Sequence, residues 1–145
     1  MVNTKIGSRF TGSLPVENGA DRTIPGGPLY PAHEILELLT SGGSQVITTW
    51  TQKCVADVQK WSLGTDDLFQ LLELAVRNGR FRGSEWCAQK PNGPWAACDA
   101  YSVIRMEWIA TAHKEMNMEY YIKFAIGKTG KILLLVSCHP SENRR

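Results

Sequence analysis

The chain has 145 residues, of which 43% are hydrophobic and 21% charged, and its formal net charge is +2. These values are typical of a globular protein with a packed core and exclude a disordered chain or a long coiled coil. No apolar run approaches the roughly 20 residues that span a bilayer, and the N-terminus lacks the apolar segment of an export signal. We therefore expect a cytoplasmic protein with no membrane partner.

The two halves of the chain differ in charge. Residues 1–79 contain 6 Lys and Arg against 8 Asp and Glu, a net charge of −2. Residues 80–145 contain 10 against 6, a net charge of +4. The C-terminal half is therefore the better candidate to meet an anionic partner such as RNA.

The N-terminal segment, residues 1–29, holds five glycines and three prolines without apolar periodicity. This composition predicts a flexible leader, followed by a single domain over residues 30–145. The first predicted helix follows Pro31, which suits a first helical turn, and ends at Gly42-Gly43.

Two further helices are predicted before residue 80. The second has Thr51 as its cap and runs to Trp61. The third begins at Thr65, whose hydroxyl can cap it, with two acids that favour the positive end of the helix dipole, and Asn78-Gly79 provides a left-handed stop. The apolar positions of the third helix are expected to be buried: Leu68, Leu71, Leu72 and Ala75.

From residue 80 onward the pattern favours short strands. One strand is predicted from Trp95 to Val103, and two more over residues 119–126 and 131–139. Helix-forming residues predict a short helix over residues 107–116. The expected fold is therefore α+β, with three N-terminal helices followed by an antiparallel sheet.

The register of the last hairpin decides which polar side chains share a face. A three-residue loop at residues 128–130 would place Glu119 opposite His139. Tyr121 and Lys123 then lie on one face with His139. The other face would be apolar and contain Tyr120, Ile122, Phe124, Ile126, Ile132, Leu134, Val136 and Cys138.

A tyrosine, a lysine and a histidine on one face could cleave RNA without a metal. Such cleavage needs a base for the 2′-hydroxyl proton, positive charge for the phosphate and an acid for the leaving 5′-oxygen. Histidine is the residue type best suited to carry the proton at neutral pH, so this role falls to His139, while Lys123 supplies charge and Tyr121 a hydroxyl. The alternative is a solvated histidine at a strand end beside ordinary surface residues.

The order of elements resembles that of the MqsR-type toxins of bacterial toxin–antitoxin pairs, within the RelE-like ribonuclease group. Besides the helices, the resemblance rests on a Phe-x-x-Ser stretch at Phe81, a Trp…Asp-x-Tyr strand ending at Tyr101, a Tyr-x-Lys strand at Tyr121 and a final Val-Ser-x-basic strand. It spans residues 32–139. It implies a metal-independent endoribonuclease that cleaves mRNA, has no cofactor and is neutralised by a cognate antitoxin, with the ribosome as a further candidate partner.

The resemblance assigns the catalytic roles to four residues. Tyr121 and Lys123 match the Tyr-x-Lys strand, and His139 matches the basic residue that closes the last strand. Arg82 lies beside the position of a family lysine and is expected to hold phosphate.

Five further residues are candidates to bind RNA. Trp86 and Trp95 flank a loop that contains Lys90, and bases could stack on these indoles. Indoles in such positions more often close the edge of a core. Arg80 and Lys90 could contribute to a basic rim for phosphates, or belong to a solvated surface. Tyr101 belongs to the matched Asp-x-Tyr strand.

Two other kinds of site are not expected. The GKTGK stretch has Ile122 where a P-loop needs glycine, and a strand follows it. The cysteines lack the paired spacing of zinc ligands, so we predict no metal site and four reduced thiols. The cysteines are Cys54, Cys87, Cys98 and Cys138.

The rival hypothesis is a non-catalytic binding module, of the kind that phages and mobile elements carry, that blocks a protein or nucleoprotein partner. Two departures from the family pattern favour it. Gly83 occupies the position of the family lysine, and Cys98 stands where a glutamine precedes the Asp-x-Tyr.

Overall fold

The computed structural model describes residues 5–15 and 21–141. Within these ranges, three α-helices pack against a six-stranded sheet. The helices are α1 (Ala32–Gly42), α2 (Gln52–Lys60) and α3 (Thr65–Asn78). The strands are β1 (Thr23–Ile24), β2 (Ile47–Thr49), β3 (Arg80–Ala88), β4 (Trp95–Ile109), β5 (Lys114–Ile126) and β6 (Leu133–Pro140).

The three predicted helices are confirmed, although their caps differ in detail. Thr51 caps α2, because its hydroxyl accepts a hydrogen bond of 3.0 Å from a backbone N–H of the first turn. Helix α3 follows Gly64, whose N–H donates to Asp67 at 2.8 Å, so Gly64 and not Thr65 is the N-cap. Gly79 has extended backbone with φ of −77°, so the predicted left-handed stop is wrong.

The apolar faces of the helices form the core with one face of the sheet. All four predicted core positions of α3 are buried, and they pack with Ile35 and Leu39 of α1. Each fully buried aliphatic side chain of this kind contributes about 1.5–3 kcal/mol. No helix among the described residues is both long and apolar enough to span a bilayer.

The sheet has the strand order β1-β3-β4-β5-β6-β2 and is mixed. Strand β2 pairs with β6 in parallel, while the other neighbours are antiparallel. The prediction of an α+β fold is therefore confirmed. The predicted order, three helices followed by an antiparallel sheet, is wrong, because β1 precedes the helices and β2 lies between α1 and α2. Strand β2 has three residues, too few for a periodicity, and its pairing with β6 is a tertiary contact.

The two faces of the sheet have different roles. Arg105 of β4 reaches α3 through Asp67, so its side chain lies on the helix side. Because side chains alternate along a strand, Ala100, Ser102 and Ile104 point the other way. We call the face opposite the helices the outer face.

Residues 107–116, predicted as a short helix, instead belong to a long β-hairpin. Strand β4 continues to Ile109, β5 begins at Lys114, and these two residues are the last pair of the ladder. Cross-strand pairing outweighs the helix propensity of this stretch, which is only a weak preference. We call residues 104–119, which project beyond the pairing of β3 with β4, the arm.

Much of the predicted leader belongs to the sheet. Ile6 forms a bridge with Trp95, Ser8 forms one with Gly127, and β1 pairs with β3. The prediction of a flexible leader is wrong for these residues, because their backbone groups find partners that are distant in sequence. Residues 1–4 and 16–20 of the predicted leader lie outside the described residues.

The prediction of four reduced, packed cysteines agrees with the structure. All four thiols are free and buried. Desolvation by burial raises the pKa of Cys54 and Cys138 to about 12, so these two thiols stay protonated at neutral pH.

Candidate functional site

Four residues on adjacent strands form a row across the outer face. The strand registers pair Arg80 with Ser102, Ser102 with Tyr121, and Tyr121 with His139. Since neighbouring strands lie about 4.8 Å apart, the row spans roughly 14 Å. The sheet therefore brings together Tyr121 and His139, two of the predicted catalytic residues.

Tyr121 and His139 are in contact across β5 and β6. Their ring centroids lie 5.7 Å apart with an interplanar angle of 35°. The predicted register, with Glu119 opposite His139, is wrong by two residues, and the loop is longer than three residues. A shift of two residues preserves the faces, so Tyr121, Lys123 and His139 do share the outer face.

A bulge between β5 and β6 changes which residues lie opposite each other on the predicted apolar face. Between Lys123 and Phe124 the register shifts, so that Phe124 lies opposite Leu135 and not opposite a residue of the predicted set. Leu133 and Leu135 therefore lie opposite Ile126 and Phe124. Leu134 and Val136 are buried in the core as predicted, whereas Ile132 is 38% exposed. A bulge inserts one unpaired residue, and the sequence carries no clear mark of its position.

A backbone carbonyl determines which ring nitrogen of His139 carries the proton. Its Nδ1 lies 2.9 Å from the carbonyl oxygen of Pro140. Since a carbonyl only accepts, we assign the proton to Nδ1, which leaves Nε2 as the basic nitrogen of the neutral ring. The half-buried His139 can thus accept a proton at Nε2, or donate it once protonated.

Arg82 extends over the row from β3. It is exposed, and its Nη1 lies 3.3 Å from the Ser102 hydroxyl oxygen. The guanidinium has further N–H groups that can bind the oxygens of a phosphate. Arg82 lies at the shift in the register of β3 with β4, next to Gly83, whose φ of +127° is strained for other residues.

A cleft of about 150 Å³ lies between Arg82 and Tyr121. Gly83 and Ala100 line it and supply little side-chain bulk, so the space between the larger residues stays open. Glu85 also lines this cleft. The cleft can admit a small anionic group such as one phosphate beside the Tyr121 ring.

Lys123, one of the predicted catalytic residues, is held in an ion pair. Its side chain is only 13% exposed and is ion-paired with Glu85, so its charge is largely committed. Burial alone would lower the pKa of Lys123, but the Cys87 thiol and Glu85 raise the pKa above its ordinary value. Lys123 therefore stays protonated and positions Glu85, and it also lies 5.8 Å from the Tyr121 ring centroid.

The hydroxyl of Tyr121 is a proton donor at neutral pH. Burial raises the pKa of Tyr121 above its ordinary value, and this effect exceeds the opposite influence of Lys123. The phenol therefore stays neutral and can donate a hydrogen bond to an oxyanion.

Four of the five predicted RNA-binding residues lie away from the row. Trp86 is 4% exposed and packs near Phe10, and Tyr101 is 7% exposed and stacks on Phe124. Both are core residues, so neither ring presents an open face to a base. Their aromatic character fits either role, and only the direction of each side chain decides it.

The other two distant residues lie toward the opposite end of β3. Trp95 pairs with Ala88 there, and the Arg22 guanidinium lies 5.1 Å from its ring centroid. Lys90 is exposed in the loop that follows β3. Strand β3 runs six residues beyond Arg82, or roughly 20 Å, before the loop that contains Lys90. Arg80 is the one predicted RNA-binding residue that belongs to the row.

The sequence did not lead us to predict two residues of the site, Ser102 and Glu85. Ser102 bridges Arg82 and Tyr121 in the row, and Glu85 pairs with Lys123. Alternation along β4 could have placed Ser102 on the outer face, whereas the shift at Arg82 reverses the alternation of β3 before Glu85. Within the described part of the chain, no group of three His, Cys, Asp or Glu side chains is arranged to hold a metal ion.

Comparison with known proteins identifies no relative of this chain: no protein-family model, no curated protein and no solved structure matches it.

Proposed function

We propose that this chain is a cytoplasmic, toxin-like endoribonuclease that cleaves mRNA by attack of the 2′-hydroxyl, without a metal or cofactor. One observation carries the proposal: Tyr121 and His139 lie directly opposite each other, with ring centroids 5.7 Å apart, in a row that Arg82 overlies. A proton carrier, a neutral hydroxyl and an exposed cation thus occur together on one surface of the sheet.

The proposed chemistry assigns one role to each group. Arg82 binds the non-bridging oxygens of the scissile phosphate, and Tyr121 donates a hydrogen bond to the same group. The 2′-oxygen forms a bond to phosphorus as the bond from phosphorus to the 5′-oxygen breaks. His139 makes one proton transfer at Nε2, either from the 2′-hydroxyl or to the leaving 5′-oxygen, and solvent water makes the other, so that the proton lost by the 2′-hydroxyl is balanced by the one gained by the 5′-oxygen. The products are a 2′,3′-cyclic phosphate and a 5′-hydroxyl.

The proposal includes a cognate antitoxin that neutralises the nuclease, and it is compatible with cleavage that requires the ribosome. The row and the cleft lie on the outer face, which the helices do not cover. A protein bound over this face would exclude RNA, which is the simplest way to neutralise the nuclease.

The test is cleavage of a mixed-sequence RNA by the purified protein in EDTA. We expect discrete cuts with 2′,3′-cyclic phosphate ends, and a loss of about 100-fold or more in rate for His139→Ala, as for removal of a general acid or base. His33→Ala is the matched control, because His33 is exposed on α1. Equal cleavage by His139→Ala and the wild type would contradict the proposal.

A second comparison tests the phosphate role of Arg82. Arg82→Ala should weaken RNA binding and reduce its salt dependence, whereas Lys90→Ala, in the distant loop, should leave both unchanged. Equal effects of the two variants would mean that charge in general, and not this site, binds the RNA.

The rival function is a non-catalytic module that binds a protein or nucleoprotein. The ion pair of Lys123 with Glu85 favours it, since this pair removes one of the predicted cations from contact with RNA. If wild-type protein neither cuts RNA nor binds it at low salt, and if its expression is tolerated as well as that of His139→Ala, the rival is the better explanation.

A further inference from the structure

The outer face of the arm carries an apolar stripe. Ile104, Met106 and Trp108 alternate along β4 and are 59%, 57% and 59% exposed. The residues between them, Arg105 and Glu107, lie on the helix side, where they bind each other at 2.8 Å. Large apolar side chains aligned on one exposed surface are a common mark of an interaction site, and Trp and Met are enriched in interfaces.

The stripe has an acidic border on the neighbouring strand. The register places Glu119 opposite Ile104 and Glu115 opposite Trp108, and both glutamates are exposed. Asn117, opposite Met106, lies between them. The arm therefore presents an apolar band with negative charge along one side.

We propose that the arm is a docking surface for a basic amphipathic segment of another protein. The apolar side of that segment would cover Ile104, Met106 and Trp108, and its Lys or Arg residues would pair with Glu115 and Glu119. The inference rests on the arm alone and does not depend on ribonuclease activity.

The charges and the area disfavour other occupants. A phosphate backbone or an anionic lipid surface would be repelled by Glu115 and Glu119. A second copy, stacked stripe on stripe in the antiparallel sense, would bring the glutamates of both copies close together. A specific interface also buries about 800 Å² on each partner, more than three side chains provide. A positively charged flank supplies the missing attraction.

The first experiment measures binding of a fluorescent synthetic helix of about 15 residues with leucines on one side and lysines on the other. We expect Trp108→Ser to weaken its binding about 10-fold or more, as for a central aromatic contact. Trp61→Ser is the matched control, because Trp61 is 44% exposed on the surface next to α2. If both variants weaken binding equally, the stripe is not a specific site and the proposal fails.

The second experiment tests the acidic border. The double variant Glu115→Lys, Glu119→Lys should weaken binding of the lysine peptide at least as much as Trp108→Ser does. A peptide with glutamate in place of each lysine should not bind the wild type. The double variant Glu37→Lys, Asp66→Lys, at exposed positions of α1 and α3, controls for net charge. Equal binding of both peptides would overturn the charge argument.

Two further measurements identify the other occupants. Sedimentation of the wild type and of Trp108→Ser reports self-association: a wild-type dimer that the substitution separates would assign the stripe to a second copy and overturn the proposal. RNA binding by the same two proteins should be equal, and a parallel loss in Trp108→Ser would assign the stripe to RNA. Circular dichroism should show the same fold for all variants, since the altered side chains are exposed.

Discussion

Asp99 is the clearest example of a residue whose role depends on its partners. It is fully buried, and it accepts hydrogen bonds from the N–H groups of Leu29 and Tyr30 and from the Ser84 hydroxyl, at 3.0, 3.0 and 2.6 Å. A buried carboxylate is tolerated only when its oxygens are satisfied in this way. Asp99 thus ties the chain before α1 to β3 and β4.

Replacement of Asp99 by Ala should therefore destabilise the fold. The substitution leaves the buried N–H of Tyr30 and the part-buried N–H of Leu29 without their acceptor, at a cost of about 1–3 kcal/mol for each fully buried group. Urea denaturation should show a loss of about 3 kcal/mol or more in the free energy of unfolding. Asp66→Ala, on the exposed start of α3, is the control and should cost about 1 kcal/mol or less. Equal losses of stability in the two variants would mean that Asp99 does not tie the chain before α1 to β3 and β4.

At the scale of elements, Arg105 joins the arm to helix α3. Its Nη1 lies 3.0 Å from Asp67 and 2.9 Å from Gln70, and its Nε lies 2.9 Å from Glu107 on the same strand. Glu107 also accepts a hydrogen bond from the Tyr120 hydroxyl. These contacts explain how a hairpin can project beyond the pairing of β3 and still have a fixed direction.

Loss of the Arg105 contacts should make the arm more mobile. Arg105→Met keeps the aliphatic part of the side chain but removes the hydrogen bonds to charged groups, and we expect a loss of about 2 kcal/mol in stability. The rate of amide hydrogen exchange should increase throughout the arm. Arg77→Met is the control, because its ion pair with Glu73 is exposed and is worth about 0.3–0.5 kcal/mol. Unchanged exchange in the arm would show that β-pairing alone holds it.

At the scale of the whole molecule, the segment before β1 closes one end of the sheet. The N–H of Gly7 donates to Trp95, the N–H of Arg9 donates to Ile126, and the N–H of Lys128 donates to Gly7. Ser8, which is 1% exposed, accepts a hydrogen bond from the backbone of β4. The segment thus links β4 to the loop between β5 and β6.

Deletion of residues 1–10 should therefore destabilise the protein. Several backbone hydrogen bonds would be lost, each worth about 1 kcal/mol, so we expect a loss of about 3–5 kcal/mol on urea denaturation. Ser8→Ala should show a smaller loss of about 1–2 kcal/mol. A flexible leader, the expectation from composition, could be removed without change, and that result would contradict the structure.

The sequence by itself determined the elements whose signal is local. The helices are examples: Thr51 caps α2, and the spacing of Leu68, Leu71 and Leu72 identifies the buried side of α3. Alternation also placed Tyr121 and His139 on a common face, since parity survives a register error of two residues. These signals depend on periods of 3.6 and 2 residues that any short stretch displays.

Only the tertiary structure decided features that depend on distant partners. Strand β2 exists because β6 lies beside it, and the arm is a hairpin because Ile109 and Lys114 pair across a turn despite a helix-like composition. The same holds for the site. Lys123 is held by Glu85, whereas Trp86 and Tyr101 are buried, and no local pattern records which way a side chain on a strand faces until its neighbours are known.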